Sequence, residues 1–311
     1  MTKLFQFVFV ISSALTVFSQ DSLIVSEEIS VNKYIDGTLL TLDTEKKIPL
    51  AIIIGGSGPT DRNGNQNLMQ NNSLKKLAEG LIKKDIASYR YDKRVVKQIK
   101  TRNIDPNTMF DDFVTDANSV LEYFDKEKKF SKIFLIGHSQ GSLVAMLAAN
   151  DSAEGIISLA GAGRPINEII VSQIAAMDSS LVADTKKTFQ ALKNGKTTTE
   201  YPSALGSIFR EDVQPFIMNW MRYDPAEIIK TLSIPVLIIN GTKDLQVSTS
   251  EAQFLKDASK NANLEIIKNM NHVLFIIEGD NLENSKSYNE SARPIAEELL
   301  ELISNFIQKK Y

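Results

Sequence analysis

Residues 137–141 read Gly-His-Ser-Gln-Gly, and Ser139 at their centre is the candidate nucleophile of this chain. An apolar run over 132–136 leads into it and the helix-forming stretch SLVAMLAAN follows, so the motif sits on a predicted strand-turn-helix junction. On so tight a turn the serine backbone is strained, and the residues two before and two after it crowd where Cβ atoms would clash. Glycine at 137 and 141 relieves that crowding. A serine hydroxyl attacks only when a base removes its proton and a third group holds the base in the right tautomer.

The chain has 2 histidines. His138 adjoins Ser139 on a turn where neighbouring side chains diverge, so it reads as a packed residue of the turn and not as the base. His272, in Asn269-Met270-Asn271-His272-Val273-Leu274 just past an apolar run over 264–267, becomes the base by elimination. The acid is assigned to Asp244, in the turn that ends the predicted strand 234–239. Residues 159–164 after the preceding strand offer no carboxylate before Glu168. The chain order Ser139, Asp244, His272 is an order known for such triads.

Acyl transfer also needs N–H groups aimed at the developing oxyanion. The amide of Gln140, directly after the nucleophile, is one. The second is expected from Gly55-Gly56-Ser57-Gly58-Pro59, at the end of the predicted strand 49–54, with the Ser57 amide preferred and Gly58 next. A glycine cluster after a strand can also hold phosphate, but neither G-x-x-x-x-G-K-[ST] nor G-x-G-x-x-G is present.

Short apolar runs at 49–54, 86–91, 132–136, 155–160, 234–239 and 264–267 are strand-length, and most are too uniformly apolar for a wet face. Amphipathic stretches at 73–84, 110–126, 142–149, 249–261 and 295–307 alternate with them, and Pro294 suits a first helical turn. This alternation predicts an α/β fold, a mostly parallel sheet flanked by helices. Residues 22–43 alternate around Asp36-Gly37, a hairpin signal. The alternation breaks between 163 and 224, where a strand-free, helix-rich insert, about 164–223, is expected to cap one end of the sheet. Polar residues 278–292 read as an exposed loop.

In 311 residues, 35 Lys+Arg stand against 38 Asp+Glu, which gives no basic field for a phosphate backbone, so no nucleic-acid partner is expected. With no Cys there are no disulfides or thiolate metal sites, and two histidines are too few for a His-rich metal centre. Residues 1–19 place Lys3 before an apolar run and the small residue Ser19. They read as a signal peptide cleaved after Ser19, or after Gln20, and imply export to the periplasm or medium without a stable membrane anchor.

These residues resemble the α/β-hydrolase superfamily, and within it bacterial serine carboxylesterases carrying GSGPTDRNGN after the third strand, matched here by residues 56–65. The likeness continues through Arg90-Tyr91-Asp92-Lys93-Arg94, the Ser139 motif, residues 159–165, Gly241-Thr242-Lys243-Asp244-Leu245-Gln246-Val247 and Met270-Asn271-His272-Val273-Leu274. It implies an α/β-hydrolase fold with an eight-stranded, mostly parallel sheet and a helical cap, no metal or cofactor, and hydrolysis of short acyl esters. Val95 departs from the glycine common after RYDKR. For Asp61 and Arg62 a structural salt bridge, such as Asp61 with Arg94, is expected in place of a catalytic role.

The expected chemistry is ester cleavage through an acyl-enzyme on Ser139. Two rivals remain at this stage: an amidase or aminopeptidase with the same machinery, and a secreted binding protein without turnover. Met177, Phe189, Phe209, Phe216, Met218, Trp220 and Met221 of the insert are candidates for an acyl pocket, with core packing the default.

Overall fold

The computed structural model describes residues 23–309, so the predicted signal segment lies outside the described residues. Eight strands form one sheet in the order β1-β2-β4-β3-β5-β6-β7-β8: β1 (Ile24–Ser30), β2 (Asp36–Leu42), β3 (Leu50–Ile54), β4 (Ala87–Tyr91), β5 (Ile133–His138), β6 (Gly155–Leu159), β7 (Val236–Gly241) and β8 (Ala262–Ile267). β1 and β2 pair antiparallel, β2 pairs antiparallel with β4, and all other pairs are parallel. Every residue of β3 to β7 is buried, as uniformly apolar runs require when helices cover both faces. The largely exposed edge strand β1 carries Glu27 and Glu28, charges that discourage pairing with another chain.

The helices are α1 (Ser73–Ile82), α2 (Arg94–Thr101), α3 (Phe110–Glu127), α4 (Gln140–Ala148), α5 (Ile166–Met177), α6 (Val182–Lys193), α7 (Gly206–Phe209), α8 (Gln214–Trp220), α9 (Pro225–Lys230), α10 (Thr249–Ala258), α11 (Asn281–Ser287) and α12 (Glu297–Gln308). α1 packs on α12, while α3 packs on α4 and α9 touches both α4 and α10. These are the two helical layers that right-handed crossovers place over a parallel sheet.

Helices α5 to α8 lie between β6 and β7 and build a second apolar cluster around Ile174, Phe189, Leu192, Leu205, Phe209 and Ile217. Buried Gln214 stitches it by exchanging hydrogen bonds with the Thr198 backbone and donating to the Phe209 carbonyl. The insert docks on α3. Trp220 stacks on Phe110 at 5.4 Å between centroids, and Asp111 accepts hydrogen bonds from Asn219 and Tyr223.

Several local expectations are corrected. The first hairpin turns at residues 31–35, where the Asn32 side chain accepts from the amides of Tyr34 and Ile35, and Asp36-Gly37 begins β2. Gly37 is small because Tyr89 of β4 crosses it: a Cβ there would lie 2.3 Å from Tyr89 Cζ. Residues 278–292 are not wholly loop, since Asp280 caps α11 through the amides of Leu282 and Glu283. Pro294 falls before the final helix, which starts at Glu297. Val95 lies within α2, so its position makes no special demand for glycine.

Gly37→Ala is therefore expected to lower stability by about 1–3 kcal/mol through overpacking. Gly206→Ala, whose Cβ would meet nothing within 4 Å, should leave it unchanged or slightly raised. Urea denaturation of both variants checks the contrast.

Candidate active site

The proposed functional residues all follow C-terminal ends of parallel strands: Ser57 after β3, Ser139 after β5, Asp244 after β7 and His272 after β8. A parallel sheet gathers loops at that edge. Ser139 has φ 54° and ψ −120°, a left-handed conformation for a residue with a side chain. A Cβ at Gly137 would sit 2.2 Å from the Gly141 carbonyl oxygen, and one at Gly141 would sit 2.3 Å from that of Ile54. Both glycines are thus sterically required, one by the start of α4 and the other by the end of β3.

Asp244 and His272 are paired. The carboxylate Oδ1 accepts from the amides of Gln246 and Val247 at 2.8 and 2.9 Å, which leaves Oδ2 to accept from His272 Nδ1 at 2.8 Å. That bond to an ionised carboxylate places the proton on Nδ1 and leaves Nε2 with its lone pair. His272 and Ser139 line one cavity of about 320 Å³ with Gly56, Ser57 and Val273. The Ser139 hydroxyl and the imidazole are not hydrogen-bonded to each other in this arrangement.

The His272 loop is braced by groups that hydrophobic patterning could not reveal. Asn271 is buried, donates to Asn284 and Ser287 of α11, and accepts from the amides of Val273 and Phe275. Asn284 in turn donates to the Lys243 carbonyl, so α11 ties together the loops that carry Asp244 and His272. His138 bonds through Nε2 to the His272 carbonyl at 2.8 Å, which makes it the donor. Burial, helped by the neighbouring His272, pulls the His138 pKa down to about 4. It is a packed residue of the turn, and it also supports the His272 backbone.

Ser57 and Gln140 line a second cavity with Ser139, of about 430 Å³. Gly56 lets the loop approach: a Cβ there would stand 3.2 Å from Ser139 Cβ. The carbonyl of Gly56 accepts from Lys93 Nζ at 2.9 Å, and that of Ser57 accepts from Thr60 Oγ1 and Gln66 Nε2, both at 2.8 Å. Lys93 also donates to Gln140 Oε1 at 2.6 Å. Burial lowers its pKa to about 7.

The larger cavity is walled by Leu143, by Ile166, Ile169 and Ile170 of α5, and by Phe216, Ile217 and Trp220 of α8. Of the insert's pocket candidates, Phe216 and Trp220 line it. Phe189 and Phe209 are core, Met218 and Met221 pack on the insert's own cluster, and Met177 is 82% exposed. The expected Asp61–Arg94 bridge is absent. Asp61 instead accepts from the amides of Asn63 and Asn65, and Arg94 pairs with Asp112 and Asp116. Arg62 pairs with Asp92 and Glu28. Burial alone would raise the Asp92 carboxyl, but Arg62 and Lys100 hold it below its ordinary value.

A family model described as serine aminopeptidase, S33, matches residues 69–211. Esterase EstD of Thermotoga maritima is 28% identical over 240 residues, 74% of this chain and 56% of that protein, so the match spans little more than half of the relative's length. Among solved structures, Est1E from Butyrivibrio proteoclasticus aligns with a TM-score of 0.57 at 18% identity, covering 92% of this chain and 96% of the other. The Pyrococcus furiosus esterase Pf2001 aligns at 0.54 and 14% identity, over 93% and 91%. At these identities the structural likenesses establish the fold.

The buried His138 generates a pH prediction. Its pKa lies near 4 in the fold and at the ordinary 6.5 in the unfolded chain, so its stabilising contribution is full above 6.5 and is lost as pH falls from 6.5 towards 4. The loss amounts to roughly 3 kcal/mol. His138→Gln keeps a donor without the titration and should flatten this limb; urea melts at pH 7 and pH 4.5 that give equal slopes for both proteins would contradict it.

Proposed function

We propose that this chain, an α/β-hydrolase of the bacterial esterase-like kind, cleaves carboxylic esters of small molecules through an acyl-enzyme on Ser139. The observation that carries the reading is the 2.8 Å bond from His272 to a carboxylate fixed by two amides, in a cavity shared with a serine on a strained turn. The mechanism calls for a side-chain rotation within that cavity that brings Ser139 Oγ onto His272 Nε2. The imidazole takes the proton as Oγ attacks the ester carbonyl, and Asp244 stabilises the imidazolium. The amides of Ser57 and Gln140 receive the oxyanion. The proton on His272 then passes to the departing alcohol, and water, activated by the same histidine, releases the acid.

The description of the matched family favours a second reading, removal of amino-terminal residues from peptides. An aminopeptidase must pair the substrate's α-ammonium, and a carboxylate is the natural partner. None of the residues lining either cavity is Asp or Glu. The one ionic side chain at the wall of the larger cavity is Arg164, a cation engaged by Glu251. An apolar wall beside this cation suits an uncharged acyl chain. The cavity supports the ester reading over the peptide one.

Purified protein is expected to turn over p-nitrophenyl acetate and butyrate and to leave aminoacyl p-nitroanilides essentially untouched. Ser139→Ala should lower ester turnover by about four to six powers of ten while melting as the parent does, and a fluorophosphonate should label only the parent. Retained turnover in this variant would overturn the assignment.

The same reading takes the protein to be exported, with the mature chain beginning at Gln20 or Asp21. Amino-terminal sequencing of the cell-envelope or medium fraction tests this. An intact Met1 on all of the protein would refute it.

A further inference from the structure

Lys93 belongs to a motif that ester chemistry as described does not use. It follows β4 by two residues, is 6% exposed, and lies with its Nζ 4.1 Å from the centroid of the Phe113 ring. Burying an ammonium is costly unless something compensates for lost water. No carboxylate does so directly. Asp116, the acid whose charge it feels, is already bound by Arg94 through two hydrogen bonds of 2.8 and 2.7 Å. The partners of Lys93 are the Gly56 carbonyl, the Gln140 side-chain oxygen and an aromatic face. The amine therefore stands behind the active site without a counter-charge of its own.

The Gly56 carbonyl and the Ser57 N–H are the two ends of one planar trans peptide group and point in opposite directions. A donor on the carbonyl thus fixes where the N–H aims and polarises it into a stronger donor. The second bond reaches the side chain of Gln140, whose own backbone N–H is the other donor of the proposed pair. We propose that Lys93 is a positioning residue which, through the Gly56 carbonyl and the Gln140 side chain, holds the Ser57 and Gln140 amides on a common oxyanion position. Both partners are acceptors, so the amine donates to them whether or not it carries its extra proton. Lys93 is itself locked from both sides, because Asp92 accepts from the Arg62 amide and guanidinium and Arg94 grips Asp112 and Asp116 on α3.

This inference rests on the ester reading and on the assignment of the two amides. In Lys93→Met, kcat for p-nitrophenyl butyrate should fall on the order of 10- to 100-fold, less than for outright loss of an oxyanion donor. KM should stay within about twofold, since the donors act on the transition state. Affinity for an aryl trifluoromethyl ketone, whose adduct on Ser139 carries the oxyanion, should fall by about the same factor as kcat. Lys93→Arg, which keeps donors, should recover part of both.

A purely structural role would instead lower the active fraction, as counted by fluorophosphonate titration, and leave kcat per titrated site and ketone affinity unchanged. That result overturns the proposal. Should Lys93→Met fail to fold, Gln140→Met removes one arm of the clamp and keeps the backbone N–H. It should show the same kcat and ketone pattern at about 3- to 10-fold, and normal values for both would again overturn the proposal. Failure of the ester reading gives a different signature, because the parent would then fail to turn over the ester, or Ser139→Ala would retain turnover, whatever Lys93 does.

Discussion

The site depends on one steric constraint, the reversal of the chain between β5 and α4 in a space with no room for side-chain carbons at 137 or 141. The turn carries Ser139 at a positive φ and brings α4 against the end of β3, close enough that the glycine loop stands beside the serine Cβ. The serine and both proposed oxyanion donors are placed by this contact. A longer turn would separate them, and no later packing could restore the approach.

Around that turn the protein spends buried polar groups on geometry, where an apolar core would be simpler. Asp244 is fixed by two amides, the His272 loop by Asn271, Asn284 and His138, and the glycine loop by Lys93, Thr60 and Gln66. Each brace acts on a backbone carbonyl or amide as often as on a side chain. Catalytic constellations need this because misplacement by an ångström removes most of the benefit of proximity. The buried groups are satisfied one by one, which lets a low-dielectric interior hold them.

The sheet was legible in the sequence because its central strands are buried on both faces and therefore read as continuous apolar runs. Ser139 and Asp244 were legible because each follows such a run, and His272 because it is the histidine left once His138 is set aside, beyond the largely exposed edge strand β8. What escaped was short or polar. α2 opens with Arg94 and carries Lys97 and Lys100, and α11 (NLENSKS) is polar but for the exposed Leu282, held by a capping aspartate and by Asn284 and Ser287 turned inward. Asp36-Gly37 carries the composition of a turn, yet Gly37 answers to the Tyr89 ring across the sheet, a contact 52 residues distant in sequence. The motifs TDRNG and YDKR were recognisable as strings, but their reason is mutual: Arg62 of one holds Asp92 of the other.

Helix α3 serves two masters. Its amino-terminal turn carries Phe110 and Asp111, which anchor the insert that walls the larger cavity. The next turns carry Phe113 and Asp116, which face Lys93 and Arg94. On the proposed reading, selectivity and rate therefore share a single strut, and drift that remodels the roof for a new substrate has a free hand only so long as its foothold on that strut stays put.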